Sequence, residues 1–492
     1  MKKGWERIRR YKVVTNAVAY ISGSFLQKAM GFILVPLWAR FLTPEDYGII
    51  GTLAAYGAML SALLLMGLHG AVVRDYYDYL DDLEEQKRYV SSVMLFLLVI
   101  STLIIVALNS FGADLWERYT ANKIPFNPYV RLMLLTAYVG IFIQFVSALY
   151  QARQKAREFV FIQYGRFLLT VLATFVLVVA FRLGAFGMML SQLISGVVVV
   201  IVVMYFAIKE WFTWSVDWKY VRAGLVFGLP LVPHALSAWI LDSSDRLILE
   251  HYVSLSELGL YNLGYSLGLV LMFLVTGINQ AWSPYYYRLM QTSKNPETQI
   301  LKFSDFYVAL IGAVCLLGVL FAGDVVYVLF PAKYYGTVRY IAPVLVGSLL
   351  VGFYYLVNKP LFHYKKTQVI PLLSAAAALL NILLNLWLVP IYGAVAAAWT
   401  TALTNGCLFI LYFYLGRRYQ NINFPMKKYG VLTSIILLSV VATTQLSPLD
   451  GETLLLKTIV MLLYAVLAYW LLLSPYLNTR IKSLAWFRRP IN

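Results

Sequence analysis

Apolar residues fill this chain in blocks of about twenty, each closed by a short break rich in lysine, arginine and tyrosine. A helix needs about 20 apolar residues to cross a hydrocarbon core of roughly 30 Å, so each block is a predicted membrane span. Fourteen can be drawn, at roughly 13–37, 48–69, 90–111, 130–150, 159–181, 185–208, 223–247, 259–287, 303–323, 338–358, 369–390, 393–415, 429–447 and 455–474. The seventh carries Pro230 and Pro233. The pattern predicts an all-α polytopic membrane protein.

The charges orient these spans. With the N-terminus in the cytoplasm, 29 of the 40 lysines and arginines fall in inner segments, nine in outer ones and two within spans. Each inner loop holds at least three, which the positive-inside rule requires of a chain with both ends cytoplasmic. The six acids between Asp75 and Glu85 weigh little in that rule. Composition agrees: the 492 residues are 61% hydrophobic and 13% charged, with mean hydropathy +0.72. A soluble domain keeps charged residues near a quarter. The net charge of +17 therefore reports topology and does not call for a nucleic-acid partner. No small-residue cleavage site follows the basic stretch MKKGWERIRRYK, so the first helix is expected to be retained. The longest outer loop, about 112–129, is too short for the external domain of a membrane glycosyltransferase or polymerase, and no enzyme is expected. Cys315 and Cys407 lie inside apolar runs and the four histidines are scattered, which rules out a disulfide framework and a Cys/His metal site.

Two pairs of stretches repeat. ARFLTPEDYGIIG at Ala39–Gly51 is matched 211 residues later by EHYVSLSELGLYN at Glu250–Asn262, with Gly48 on Gly259, Asp46 on Glu257 and Thr43 on Ser254. FRLGAFGMML at Phe181–Leu190 is matched by PIYGAVAAAW at Pro390–Trp399, at an offset of 209. Six spans separate each pair. An even number preserves orientation, so this is a parallel repeat about an axis normal to the membrane. The expected division is a basic cytoplasmic N-terminus (1–12), an N-lobe of six spans (13–208), a cytoplasmic linker (209–222), a C-lobe of six spans (223–415), an added pair (429–474) and a basic tail (475–492).

Charged and amide side chains inside the spans are the candidate chemistry. Lys28 lies about 15 residues, roughly 22 Å, into the first span. Asn16, Tyr20, Ser24, Lys28 and Gly31 recur at i+4 or i+3 and form one stripe. A cation facing lipid at that depth costs about 2.5–3.5 kcal/mol or more, so Lys28 should face a water-filled interior, as an anion ligand or paired with a structural carboxylate. Arg166 lies about eight residues into the fifth span, one turn after Gln163; it either snorkels inward or faces the interior. Arg74, in GLHGAVVRDYYDY, stands at the inner mouth as ligand or topology anchor. In WILDSSDRLILEHY, Asp242, Asp245 and Arg246 fall at i, i+3 and i+4. They form a local staple, or Arg246 is an outer cation with Asp242 or Asp245 free for a coupling ion. Asn381 and Asn385 share a helical face, where buried amides join helices or contact sugar. Tyrosine- and tryptophan-rich helix ends, such as Trp282 with Tyr285–Tyr287, read as interfacial belts.

Five features in order then resemble a known family: Lys28, RFLTPEDYG after it, GLP…SSDRLIL…LGLYNLGY, AWSP at Ala281–Pro284, and the run from Lys365 to Leu403. Together they resemble the polysaccharide flippases of the multidrug/oligosaccharidyl-lipid/polysaccharide exporter superfamily, over roughly residues 13–415. The resemblance implies a two-lobed, V-shaped transporter that moves polyprenyl-pyrophosphate-linked oligosaccharides to the outer leaflet by alternating access. It implies that Lys28, Arg74, Arg166 and Arg246 are cavity cations for the pyrophosphate, with Arg40 further outward, and that Na⁺ or H⁺ drives the cycle. It also implies work alongside polysaccharide polymerases and glycosyltransferases, and a monomer is expected. A multidrug exporter of the same superfamily is the rival reading. It calls for intramembrane carboxylates, whereas the interior charges here are mainly positive.

Overall fold

The computed structural model describes residues 30–79, 82–366, 368–443 and 448–476. Among the described residues there is no strand, and thirteen helices are long and apolar enough to cross a membrane. The described end of the first predicted span, Met30–Phe41, is α1. The thirteen follow as α2 Pro44–Leu65, α3 Leu83–Arg118, α4 Phe126–Ala152, α5 Ala156–Ala180, α6 Gly184–Trp211, α7 Trp218–Tyr252, α8 Leu255–Thr292, α9 Pro296–Leu329, α10 Ala332–His363, α11 Val369–Tyr392, α12 Ala394–Tyr419, α13 Met426–Thr443 and α14 Gly451–Tyr476. Each coincides with one predicted span. Lys28 and most of its stripe lie outside the described residues, as do the basic N-terminus and most of the basic tail.

The helices outrun the apolar blocks. α3 has 36 residues and α8 has 38, about 54 and 57 Å at 1.5 Å per residue, against a core of roughly 30 Å. Lipid thickness sets how long the apolar stretch must be, while capping decides where the helix stops. Asp82 supplies such a cap to α3, its Oδ1 accepting from the amides of Glu84 and Glu85 at 3.0 Å each. Pro230, in the seventh block, is absorbed by a short 3₁₀ turn, Leu229–Leu231, without ending α7.

By packing the chain divides into two compact units, Met1–Gly259 and Leu260–Asn492. In the first, α4 packs on α2, α3 and α6, and α5 on α6; α7 joins this unit by lying along α2. In the second, α10 packs on α8, α9 and α12, and α11 on α12. Every partner has shifted by six. α4 and α10 are the central helices, each with 72% of its apolar window buried, whereas α5, α7 and α14 have 17%, 11% and 17%.

The matched stretches fold alike. Thr43 Oγ1 accepts from the amide of Asp46 at 3.1 Å, and Ser254 Oγ accepts from Glu257 at 3.2 Å, so each opens its helix with the same cap. Gly184 and Gly393, the matched glycines of the second pair, both take a left-handed backbone (φ +54° and +64°) that starts α6 and α12. The glycines of the first pair permit a reciprocal contact inside the first unit. A Cβ on Gly48 would strike the carbonyl of Leu255, and one on Gly259 would strike that of Pro44. Leu255 is the repeat match of Pro44, so this contact maps onto itself when the two stretches are exchanged.

In the second unit, α13 and α14 are pinned to α9 by polar bonds near both ends. Asp324 accepts from Lys457 Nζ at 2.6 Å and from the Leu449 amide at 2.8 Å. Asp305 accepts from the hydroxyls of Tyr429 and Tyr476 at 2.7 and 2.8 Å. The charged atoms of Lys457 and Asp324 are nearly shut off from surroundings, where unpaired charges are costly.

Candidate anion-binding cavity

Gln163, Arg166, Thr170 and Thr174 form a polar stripe on the otherwise apolar α5. Two hydroxyl pairs turn that stripe toward α6: Thr170 with Ser195 and Thr174 with Ser191, both at 2.7 Å. Thr170 also donates to the Arg166 carbonyl at 2.8 Å. With α5 clamped one and two turns further on, Arg166 points into a cavity of about 230 Å³ within the first unit. Its other polar walls are Gln144, Gln192, Thr136 and Ser61.

Space and charge both suit an anion. Gly140 lines the cavity, and a Cβ there would meet no atom within 4 Å. Thr136 Oγ1 is buried and has no hydrogen-bond partner. Among the described residues Arg166 makes no ion pair, and the cavity wall contains no carboxylate. An arginine fork flanked by amides and hydroxyls offers several charge-assisted donors to a phosphate oxygen.

The other sequence candidates are differently placed. Arg246, on α7, is held by its own helix: Nη1 lies 2.8 Å from Asp245 Oδ1 and donates to the Asp242 carbonyl at 2.7 Å. That pairing occupies Asp245, while Asp242 is exposed. Arg74 is exposed, with Nε 2.6 Å from Asp75 and its guanidinium 4.4 Å from the ring of Phe227. Arg40 is exposed at the end of α1. Of these four arginines, Arg166 alone lines the cavity. Asn381 and Asn385 are buried and bonded between helices. Asn385 donates to Asn381 Oδ1 at 3.1 Å and accepts from Thr400 at 2.6 Å, and Asn381 reaches Thr404 at 3.4 Å.

Two groups escaped the sequence reading. Lys359, just past the predicted span 338–358, is 4% exposed and donates to Asn279 Oδ1 at 2.6 Å and Ser283 Oγ at 2.8 Å. Among the described residues it has no acid partner. Asn279 and Ser283 at i and i+4 on an apolar helix were the available signal. Glu250, at the end of α7, is fully buried; Tyr56 donates to its Oε2 at 3.0 Å, while Oε1 has no partner. Lys123 caps the same helix end, donating to the carbonyls of Glu250 and Val253 at 2.5 and 2.8 Å. Nothing in the local pattern marks Glu250, because Tyr56 is 194 residues away.

Comparison with known proteins bears on the family and the fold. The sequence model described as "Polysaccharide biosynthesis protein" matches residues 13–290, more than half of the chain. Lsg locus putative protein 1 of Haemophilus influenzae is 24% identical over 376 residues, covering 75% of this chain and 90% of its own. Among solved structures, the lipid II flippase MurJ in an inward closed conformation superposes with TM-score 0.73 at 14% identity, covering 93% of this chain and 99% of its own. An inward-facing multidrug resistance MATE family transporter of the MOP superfamily gives 0.63 at 13%, covering 85% and 96%. At these identities the two structures speak for the fold.

Proposed function

The chain belongs to the polysaccharide biosynthesis protein family, and from that premise we propose that it flips polyprenyl-pyrophosphate-linked oligosaccharide units from the inner to the outer leaflet by alternating access. The observation that carries the reading is Arg166, a cation without a carboxylate partner among the described residues, facing a small polar cavity inside a multi-pass membrane protein. A diphosphate bears concentrated charge that needs fixed donors once it leaves water. The lipid II flippase with the same fold supports a lipid-linked substrate. A multidrug exporter would need an acid in the cavity wall for a cationic drug, and the wall has none among the described residues. No catalytic role is part of this reading.

In this scheme both termini lie in the cytoplasm and the protein sits in the cell membrane as a monomer, serving the glycosyltransferases and polymerase of its pathway. Lys28 joins Arg166 as a diphosphate ligand, Arg246 stays paired with Asp245, and Asp242 receives the coupling Na⁺ or H⁺. The test is translocation of a fluorescent polyprenyl-diphosphate oligosaccharide in proteoliposomes. Arg166→Ala should stop it and Arg166→Lys should retain part. Unchanged transport by Arg166→Ala would sink the proposal.

A further inference from the structure

α5 has a second face. Beyond the hydroxyl clamp, toward the start of α5 and the end of α6, the two helices line a groove of about 820 Å³. Its walls are apolar and open: Phe161 and Leu168 of α5 face Val198, Val202 and Phe206 of α6, and all five are exposed. The groove closes beside Leu169 and Val198, next to the Thr170–Ser195 pair that ties the helices together. Its polar lining is confined to the other end, at Lys155, Arg157, Glu158 and Glu210, the inner side by the distribution of lysine and arginine. The lining runs from Arg157 to Leu169 on α5 and from Val198 to Glu210 on α6. Each stretch rises about 18 Å, close to the depth of one leaflet in a core of roughly 30 Å.

The mouth is not neutral. Glu210 is shared by Arg153 at 2.7 Å and Lys155 at 3.1 Å, and Arg153 lies 3.9 Å from the ring of Trp211. Arg157 is exposed and makes no ion pair among the described residues. Three cations face two carboxylates, Glu158 and Glu210, leaving one positive charge where lipid headgroups lie. An apolar trough one leaflet deep with a cationic mouth matches a lipid that carries a net negative headgroup.

We propose that the α5–α6 groove binds an anionic phospholipid of the inner leaflet, its acyl chains between Phe161 and Phe206 and its phosphate at Arg157 and Lys155. A polyprenyl tail is longer than one leaflet and would not be matched by a trough that closes at Leu169. The site is separate from the Arg166 cavity, and its test does not depend on transport. Full-length protein in detergent is titrated with phosphatidylglycerol and phosphatidylethanolamine of equal chain length, and retained lipid is counted by native mass spectrometry. One unpaired cation near the headgroup predicts a preference for phosphatidylglycerol of about fivefold. Arg157→Glu should erase the preference while both lipids still bind, and Arg417→Glu, an exposed inner cation outside the groove, should leave it intact. Val202→Trp, which fills the trough, should reduce both lipids; should it fail to fold, Arg157→Gln carries the test by halving the preference or more. Equal retention of the two lipids by the natural protein, or a preference that survives Arg157→Glu, overturns the proposal. Displacement of phosphatidylglycerol by an equimolar polyprenyl phosphate would also overturn it, by assigning the groove to the substrate.

Discussion

Arg166 and Arg246 are both arginines on membrane helices, yet their environments predict stability changes of opposite sign on replacement by alanine. Arg246 sits 2.8 Å from Asp245, a carboxylate with only 4% of its side chain exposed. Its removal takes the cation away from a buried carboxylate, which costs about 3 kcal/mol. Arg166 leaves no acid behind. A cation at mid-membrane costs about 2.5–3.5 kcal/mol against lipid, and the 230 Å³ polar cavity relieves most of this. Its removal should therefore stabilise the fold by on the order of 1 kcal/mol. With an unfolding entropy of about 2.1 cal/mol/K per residue, a chain of 492 residues shifts by about 1 °C per kcal/mol. Thermal scans in one detergent should show Arg166→Ala about 1 °C above the natural protein and Arg246→Ala about 3 °C below it. Substrate binding should move the other way for Arg166. Losing a charge-assisted, two-pronged contact of about 3 kcal/mol weakens binding about 150-fold. A loss of thermal stability in Arg166→Ala would refute the reasoning, since it would mean that the guanidinium is structurally bonded.

Three further outcomes follow from the packing. Gly259→Ala should lower the thermal midpoint by several degrees because the new methyl strikes the Pro44 carbonyl, whereas Gly430→Ala, with open space around its Cβ, should be neutral or raise stability by about 0.5–1 kcal/mol; equal effects would show that the close approach is unimportant. Lys457→Met alone should destabilise by about 3–5 kcal/mol by taking away the counter-charge of Asp324, and adding Asp324→Leu should restore most of the loss; a double variant no better than the single one would count against a charge-pair origin, as read in chemical denaturation. Asn385→Leu should cost roughly 0.6–2 kcal/mol by breaking the bond to Thr400, without changing substrate affinity; a binding defect larger than the stability defect would make this amide a ligand.

Much of the fold was legible because two requirements of the bilayer act on sequence directly. Hydrocarbon thickness sets the block length, and the inner face collects lysine and arginine. Helix ends were less legible: α3 begins at Leu83, ahead of the block at 90–111, because its cap is Asp82, a polar residue outside that block. Arg166 could be found as a charge inside an apolar run. Which residues neutralise or cradle a charge was another matter. That Asp245 takes up Arg246 depends on the side-chain rotamer, and that Asn279 and Ser283 hold Lys359 depends on residues of one helix that lie 80 and 76 positions away from it in the chain. The topology rule counts Lys359 as an inner-side cation, but that rule counts charge and is blind to burial.

The bonds that hold α13 and α14 carry an implication for how such a chain is lengthened. Asp305 and Asp324 receive bonds on α9 from Tyr429, Tyr476 and Lys457, all of them in the last two helices. Remove the pair and α9 is left displaying two bare carboxylates toward lipid, a penalty of several kcal/mol. The hairpin is thus a cassette with its own sockets, and neither half is tolerable without the other. A viable twelve-helix version would need apolar side chains in both sockets, and grafting this hairpin onto a shorter transporter would require installing the two aspartates first.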